Sequence, residues 1–272
     1  MAHTLQERYS ALVDAKLRKT LVTKDNVIFN LNYEGDPKAG AVKIPVRDTE
    51  VTAREYDKAN GISAETGSTT YLTVSINNDV AVNEIVDGSD AASVPDGVIA
   101  ERLDSAGYSL ANSLDKDAIA ELEEGGTAMA STTALTKTTA YETIVDARTA
   151  LSDAGVPTDG RWLIVTPSVY ALLLKSSDFI KQSDLSQELV ATGAIGKIAG
   201  FAVYESNNLS DETEFIAGHP QYCHRIDEWN VPVTVQSLAG SGKYVGASAV
   251  QGRKVFSHKV SKAAAVVVKT KA

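Results

Sequence analysis

Cysteine is all but missing from this chain. Cys223 is the only one in 272 residues, so no intrachain disulfide can form, as suits a protein folding in a reducing cytoplasm. Histidine is scarce as well: there are four, one of them His3, which leaves acid–base catalysis few agents. No window approaches the roughly 18 apolar residues of a membrane span, and the opening MAHTLQERYS has no apolar core of signal-peptide length. Dense runs of lysine or arginine are also absent, and the formal net charge is −9. A surface that grips phosphates needs clustered cations that release counterions, so sequence-specific nucleic-acid binding is not expected. What remains is an ordinary globular composition, 43% hydrophobic, enough to bury a sizeable core as one large domain or two intertwined smaller ones.

Motifs that carry chemistry are missing too. Two glycine–lysine sites approach a phosphate loop and fail it. In GAIGKIAG, Ala191 stands where the first glycine belongs, and Ile198 follows Lys197 where Ser or Thr must hold magnesium. In LAGSGKYVG the same two places are Ser237 and Tyr244. HPQYCH gathers His219, Cys223 and His224, but Pro220 opposes a helix through it and no second cluster supplies further ligands at a usual spacing. A strand-and-turn segment with a buried thiol is expected there. No Gly-x-Ser-x-Gly elbow exists, and Asp211, Glu212 and Glu214 are expected to be a solvated loop. No catalytic, cofactor-binding or metal-ligating residue is assigned, and no cofactor is implied.

The organisation of the chain says more. Met1 to about Asn30 reads as an arm, with Arg8, Lys16, Arg18, Lys19 and Lys24 against Glu7, Asp14 and Asp25. Its stripe, Leu5, Tyr9, Leu12, Ala15 and Lys16, is too short and lightly apolar to be a stable helix alone. The segment is therefore expected to dock on its own chain or a neighbour, the plain alternative being a solvated tail. Period-two patterns at Ala41–Val46 and Tyr71–Val86 predict strands. The polar stretch between them, Asp48–Thr70, makes a long hairpin whose tip has no core of its own.

A stripe at Ile99, Leu103, Ala106, Leu110, Leu114, Ala118 and Leu122 predicts a long helix from Pro95 to Glu124, ended by Gly125 and Gly126. At 1.5 Å per residue it would run roughly 40 Å, a spine laid across a sheet. After a small, polar crossover, α and β units alternate. Helices are expected at Tyr141–Ala154, Ser168–Lys175 and Leu185–Ala191. Strands are expected at Arg161–Thr166, Phe201–Ser206, Glu214–Ala217 and Val231–Val235, together making a compact α/β unit. Beyond Ser237 the pattern returns to β, and the apolar run Ala263–Thr270 is expected to pair with the early strands near Leu72–Val86. The class is α+β.

This order of arm, long hairpin, spine helix, compact α/β unit and return to β resembles the coat-protein fold of tailed phages named after phage Hong Kong 97. The local likeness is carried by GRWLIVTPSVYALLL, Gly160–Leu174, and LVATGAIGKIAGFAVYESNNL, Leu189–Leu209. In the first, a strand ends in a proline-started helix. In the second, a turn with Gly193, Gly196 and Gly200 leads into a strand and then Asn207 and Asn208. The resemblance implies an N-terminal arm at 1–40 and an extended loop with its strand at 41–71. It implies a peripheral domain at 72–125 plus 238–272 and an axial domain at 126–237. The implied function is a major capsid protein, not an enzyme, that assembles through pentamers and hexamers into an icosahedral shell around double-stranded DNA. Assembly would take place in the host cytoplasm and the product would be the virion capsid.

Implied partners are further copies of the chain, a portal and possible decoration proteins. A separate scaffolding protein is expected because the sequence has no room for a long cleavable N-terminal scaffold. Some relatives join subunits by a lysine–asparagine isopeptide bond; Lys58 lies in the loop, but nothing identifies its partner, so none is expected. The alternatives are an encapsulin-like nanocompartment shell with the same fold and, from a different class, a soluble α/β hydrolase, which would need a deep pocket with convergent polar groups.

Overall fold

The computed structural model describes residues 18–23, 26–46, 50–64, 66–67, 69–93, 98–130, 133–176, 196–240 and 242–272. Several sequence expectations lie outside them: the arm stripe Leu5–Lys16, the helix start at Pro95, the helix Leu185–Ala191, and Gly193. In chain order the elements begin with β1 (Asn30–Glu34), β2 (Ala41–Val46), β3 (Thr70–Ser75) and β4 (Asn78–Val86). There follow α1 (Gly88–Ser93), the long α2 (Val98–Gly125), β5 (Thr127–Ala128) and α3 (Thr139–Asp153). Next come β6 (Trp162–Val165), α4 (Pro167–Leu174), β7 (Lys197–Ile198), β8 (Phe201–Glu205) and β9 (Thr213–Gly218). The chain closes with β10 (Cys223–Ser237), β11 (Ser248–Val260) and β12 (Val266–Thr270).

The strands form three sheets: a four-stranded one ordered β1-β10-β11-β4, a six-stranded one ordered β5-β12-β9-β6-β8-β7, and the two-stranded hairpin β2-β3. The spine helix α2 joins the two larger sheets, packing on β4, β10 and β11 along one part of its length and on β9 and β12 at the other. Its burial follows the stripe unevenly: Ala106, Leu114, Ala118, Ile119 and Leu122 are buried, whereas Ile99 is exposed. Gly252 of β11 permits the close approach. A Cβ there would come 2.7 Å from Val233 and 3.1 Å from Leu110 of the helix, too close to tolerate without a shift.

The six-stranded sheet is covered on both faces, so its central strands are apolar at successive positions and not only at alternate ones. Leu163 and Val165 of β6, Phe215 and Ala217 of β9 and Val267 of β12 join the core beneath α3 and α4. Trp162, Ile164, Ile216, Val266 and Val268 point the other way, against Ala118, Ile119 and Leu122 of the spine helix and against Ile28 and Phe29. Pro167 begins α4 where its missing N–H is harmless. The end of α3 is clasped by Arg161, whose guanidinium donates to the carbonyls of Arg148, Val156 and Pro157 and to Ser152 Oγ.

Three expectations need correction. The run Ala263–Thr270 does not pair with the early strands. β12 lies antiparallel to β9, Val266 opposite Gly218 and Val268 opposite Ile216, and parallel to β5. The place beside β4 belongs to β11. The physical reason is coverage: a strand apolar on both sides needs layers on both sides, and among the described residues the six-stranded sheet is the one with helices on both faces. Secondly, Val231–Val235 is no part of the α/β unit. It is the outer half of the fifteen-residue β10, paired with β11 in the four-stranded sheet. Thirdly, Tyr71–Val86 is two strands, broken between Ser75 and Asn78, the first pairing with β2 and the second with β11.

Candidate assembly surfaces and the anchorage of the arm

The hairpin β2-β3 is antiparallel in the register expected of a long loop's base, from Ala41 opposite Ser75 to Val46 opposite Thr70. Its inner residues Ile44 and Val74 are buried against Ile226 of β10, with Tyr33, Val42, Leu72 and Ile76 around them. Val51 is 83% exposed and Tyr56 70%, large apolar groups that the described residues leave uncovered. One turn is held locally. The Asp57 carboxylate accepts from Ala59 N–H at 2.8 Å and Asn60 Nδ2 at 2.6 Å, and Gly61, at φ +69°, donates its N–H to Asp57 O at 2.8 Å. The Ala59 N–H first, then the Asn60 side chain, hold the Asp57 carboxyl below its usual range. Lys58 lies exposed on this same turn.

The described end of the arm is fixed differently. Arg18 pairs with Asp104 of the spine helix, and Lys19 N–H donates to Tyr108 Oη at 2.7 Å. Deeper in, Asp115 of α2, 1% exposed, is a hub. Its Oδ1 accepts from Val22 N–H at 3.0 Å, Thr23 N–H at 2.9 Å and Thr23 Oγ1 at 2.8 Å. Its Oδ2 accepts from Asn208 Nδ2 at 2.7 Å. Arg225 of β10 donates to Thr23 O from one side of its guanidinium and, from Nε, to His258 Nε2 at 3.1 Å. His258 in turn faces Asp117 Oδ2 at 2.7 Å. This part of the arm is therefore integral to the subunit's core, whereas the solvated-tail alternative would leave it loose.

Sequence reasoning missed this network entirely. Its members are far apart in the chain, and the one hint was a pair of acidic residues, Asp115 and Asp117, flanking the apolar stripe of the helix.

The residues weighed for chemistry are dispersed. His219 Nδ1 accepts from Gln221 N–H at 3.2 Å, capping a short 3-10 turn at Pro220–Tyr222, while its Nε2 donates to Asp159 O at 2.8 Å. Cys223 is buried, its thiol pushed up in pKa by burial and secondarily by the charge of Glu121. His224 is turned to Asn30 Oδ1 at 2.9 Å, and burial pushes its pKa down. Among the described residues no group of three His, Cys, Asp or Glu is placed to hold a metal.

Lys197 sits in strand β7 and Lys243 lies over the Tyr244 ring, 5.1 Å from its centroid. Asp211 and Glu212 are exposed and Glu214 half-buried. A cavity of about 240 Å³ opens between Leu21, Leu110, Leu114, Val231 and Arg225, and another of about 320 Å³ beside Met129, Asp146 and Val267. Neither gathers an acid and a base. Among the described residues no helix is long and apolar enough to cross a membrane.

A likeness to known proteins agrees with this picture of a sheet-and-spine plate with an uncovered loop. The family model described as phage capsid protein matches residues 84–268. A solved structure from Mycobacterium phage Che8 is 24% identical, superposes with a TM-score of 0.79, and shares 97% of this chain and 96% of its own. The capsid structure of Cyanophage P-SCSP1u is 13% identical with a TM-score of 0.80 over 98% and 93%. The mature capsid of bacteriophage PhiM1 is 13% identical with a TM-score of 0.74 over 98% and 92%. No curated protein matches.

Proposed function

The chain belongs to the phage capsid protein family, and from that premise we propose that its subunits associate through pentamers and hexamers into an icosahedral shell enclosing double-stranded DNA. It is a structural major capsid protein of the virion and not an enzyme. The observation that carries the assembly mode is the hairpin. Its base is seated in the subunit's own core, while Val51, Tyr56, Ile62 and Tyr71 are exposed. A subunit gains stability from such a loop only when neighbouring copies bury it, which is the logic of a closed repeated assembly.

The division that serves this function is an arm at 1–40, an extended loop at 41–71, a peripheral domain at 72–125 with 238–272, and an axial domain at 126–237. Strand pairing asks for two adjustments: β10 contributes to the peripheral sheet and β12 to the axial one. A loop whose exposed part is held locally at the Asp57–Gly61 turn tolerates several angles, so curvature has to be set from outside the subunit. A separate scaffolding protein fills that role, with a portal at one vertex, decoration proteins as optional additions, and assembly in the host cytoplasm. The net charge of −9 suits a wall that does not adhere to packaged DNA.

Negative-stain electron microscopy with light scattering on concentrated protein tests the assembly. Pentamers, hexamers or closed shells are expected. A monomer at every concentration, with the 50–69 loop resistant to protease, would overturn it. DNA inside particles from infected cells is expected, and cargo protein in its place would mark a compartment shell. Shells of uniform native size from the pure protein alone would remove the need for a scaffold.

A further inference from the structure

His258 sits at the centre of the buried network that anchors the arm, and its two ring nitrogens have partners of opposite kinds. Arginine only donates hydrogen bonds, so the 3.1 Å contact from Arg225 Nε requires His258 Nε2 to be an unprotonated acceptor. The remaining proton is then on Nδ1, donated to Asp117 Oδ2 at 2.7 Å. The ring is 4% exposed and is packed edge-on by Phe29, 4.9 Å between centroids, and by Phe256 at 5.5 Å. Among the described residues, the charged groups facing it are Asp117 from α2, Arg225 and Asp227 from β10, with Asp115 beyond Arg225, and the arm contributes the apolar Phe29.

Protonation of Nε2 would turn an acceptor into a donor pointing at a donor. It would also set a second cation against a guanidinium in a site with little water. Arg225 would have to move, and the same guanidinium is what holds Thr23 O and lies over Phe29, 5.8 Å from its centroid.

We propose that His258 is a proton-operated latch: neutral, it lets Arg225 hold the arm at Thr23 and Phe29 on the core, and protonated, it releases that hold. The three bonds from Val22 and Thr23 to Asp115 lose the support of Arg225 at Thr23 O and open more often, so the outcome is a local loosening of this segment and not global unfolding. The latch is a property of the subunit and stands whether or not the shell is built as proposed. Burial and Arg225 push the imidazole's pKa down, while Asp117 pulls the other way. The arm is thus locked at neutral pH and opens as pH falls below about 6.5, the ordinary histidine value.

Hydrogen exchange of the full chain, corrected for intrinsic rates, tests it at the amides of Val22, Thr23 and Phe29. In the natural sequence the opening constant is expected to rise by up to about tenfold per pH unit below about 6.5, the limit for a single proton. In His258→Gln, whose amide oxygen can accept from Arg225 and whose NH₂ can donate to Asp117, the opening should lose its pH dependence. Asp117→Asn, which removes the charge favouring the imidazolium, should move the opening to lower pH. If the glutamine variant does not fold, Asp117→Asn decides alone. Acid opening that is unchanged in either folded variant, or no opening of the natural sequence down to pH 5, overturns the proposal.

Discussion

The six-stranded sheet and the β2-β3 hairpin are both rich in β-branched residues, yet they end in opposite physical states. In β6 every side chain from Trp162 to Val165 is shielded, one pair under α3 and α4 and the other under the spine helix. In the hairpin only the base is shielded, and beyond Val46 and Thr70 the chain leaves the subunit with its apolar groups uncovered. The difference is layers. A strand with an element on each face completes its burial within one chain, and a strand pair that runs past its last supporting layer completes it only against another molecule. The subunit therefore contains its own stability in one region, and the proposed assembly draws its association from the other.

Substitutions should separate the two. The largest effect belongs to the sheet: Phe215→Ala removes a fully buried ring from the core beneath α3 and α4. It is expected to cost about 3–5 kcal/mol of subunit stability in urea unfolding. Next comes Asp115→Ala, which leaves the N–H groups of Val22 and Thr23 without their acceptor and the Asn208 amide with Asn112 Oδ1 alone. A loss of about 3 kcal/mol is expected on the same measurement.

A smaller effect comes from pH. Burial depresses the pKa of both His224 and His258. Their contribution to stability is then complete above the unfolded value of about 6.5 and is lost as pH falls through the lower folded values. The urea midpoint should drop between pH 7.5 and 5 and be flat from 7.5 to 8.5. The smallest effect on the subunit, and the sharpest on association, is expected of Tyr56→Ser. Stability should stay within about 0.5 kcal/mol, while light scattering shows assembly weakened or abolished. A destabilised subunit would mean that the loop is covered internally and would erase the contrast.

Much of this contrast is legible in the sequence, because it is carried by periodicity. The spine stripe, the RWLIVT strand with its proline-started helix and the coreless polar loop all announce themselves. Periodicity reports which faces a strand buries, not which strand it meets. That is why AAAVVVKT reads correctly as a central strand and is yet assigned to the wrong sheet. Strand β1, NLNYE, has too little apolar contrast to be seen at all, since it borders its sheet and pairs with β10 alone. The Asp115 and His258 network is silent for a different reason. Hydrogen bonds between Thr23, Asp115, Asn208, Arg225 and His258 span up to 202 residues, and polar pairing at such distances leaves no repeating signal.

The most direct test of the account is hydrogen exchange across residues 50–69, measured on free subunits and on assembled particles of the same protein. The account predicts rapid exchange in the free subunit, outside the Asp57–Gly61 turn, and strong protection in the particle. The β6 and β9 amides should be equally protected in both. Equal exchange of the loop in the two states would contradict it, because the hairpin would then take no part in holding subunits together.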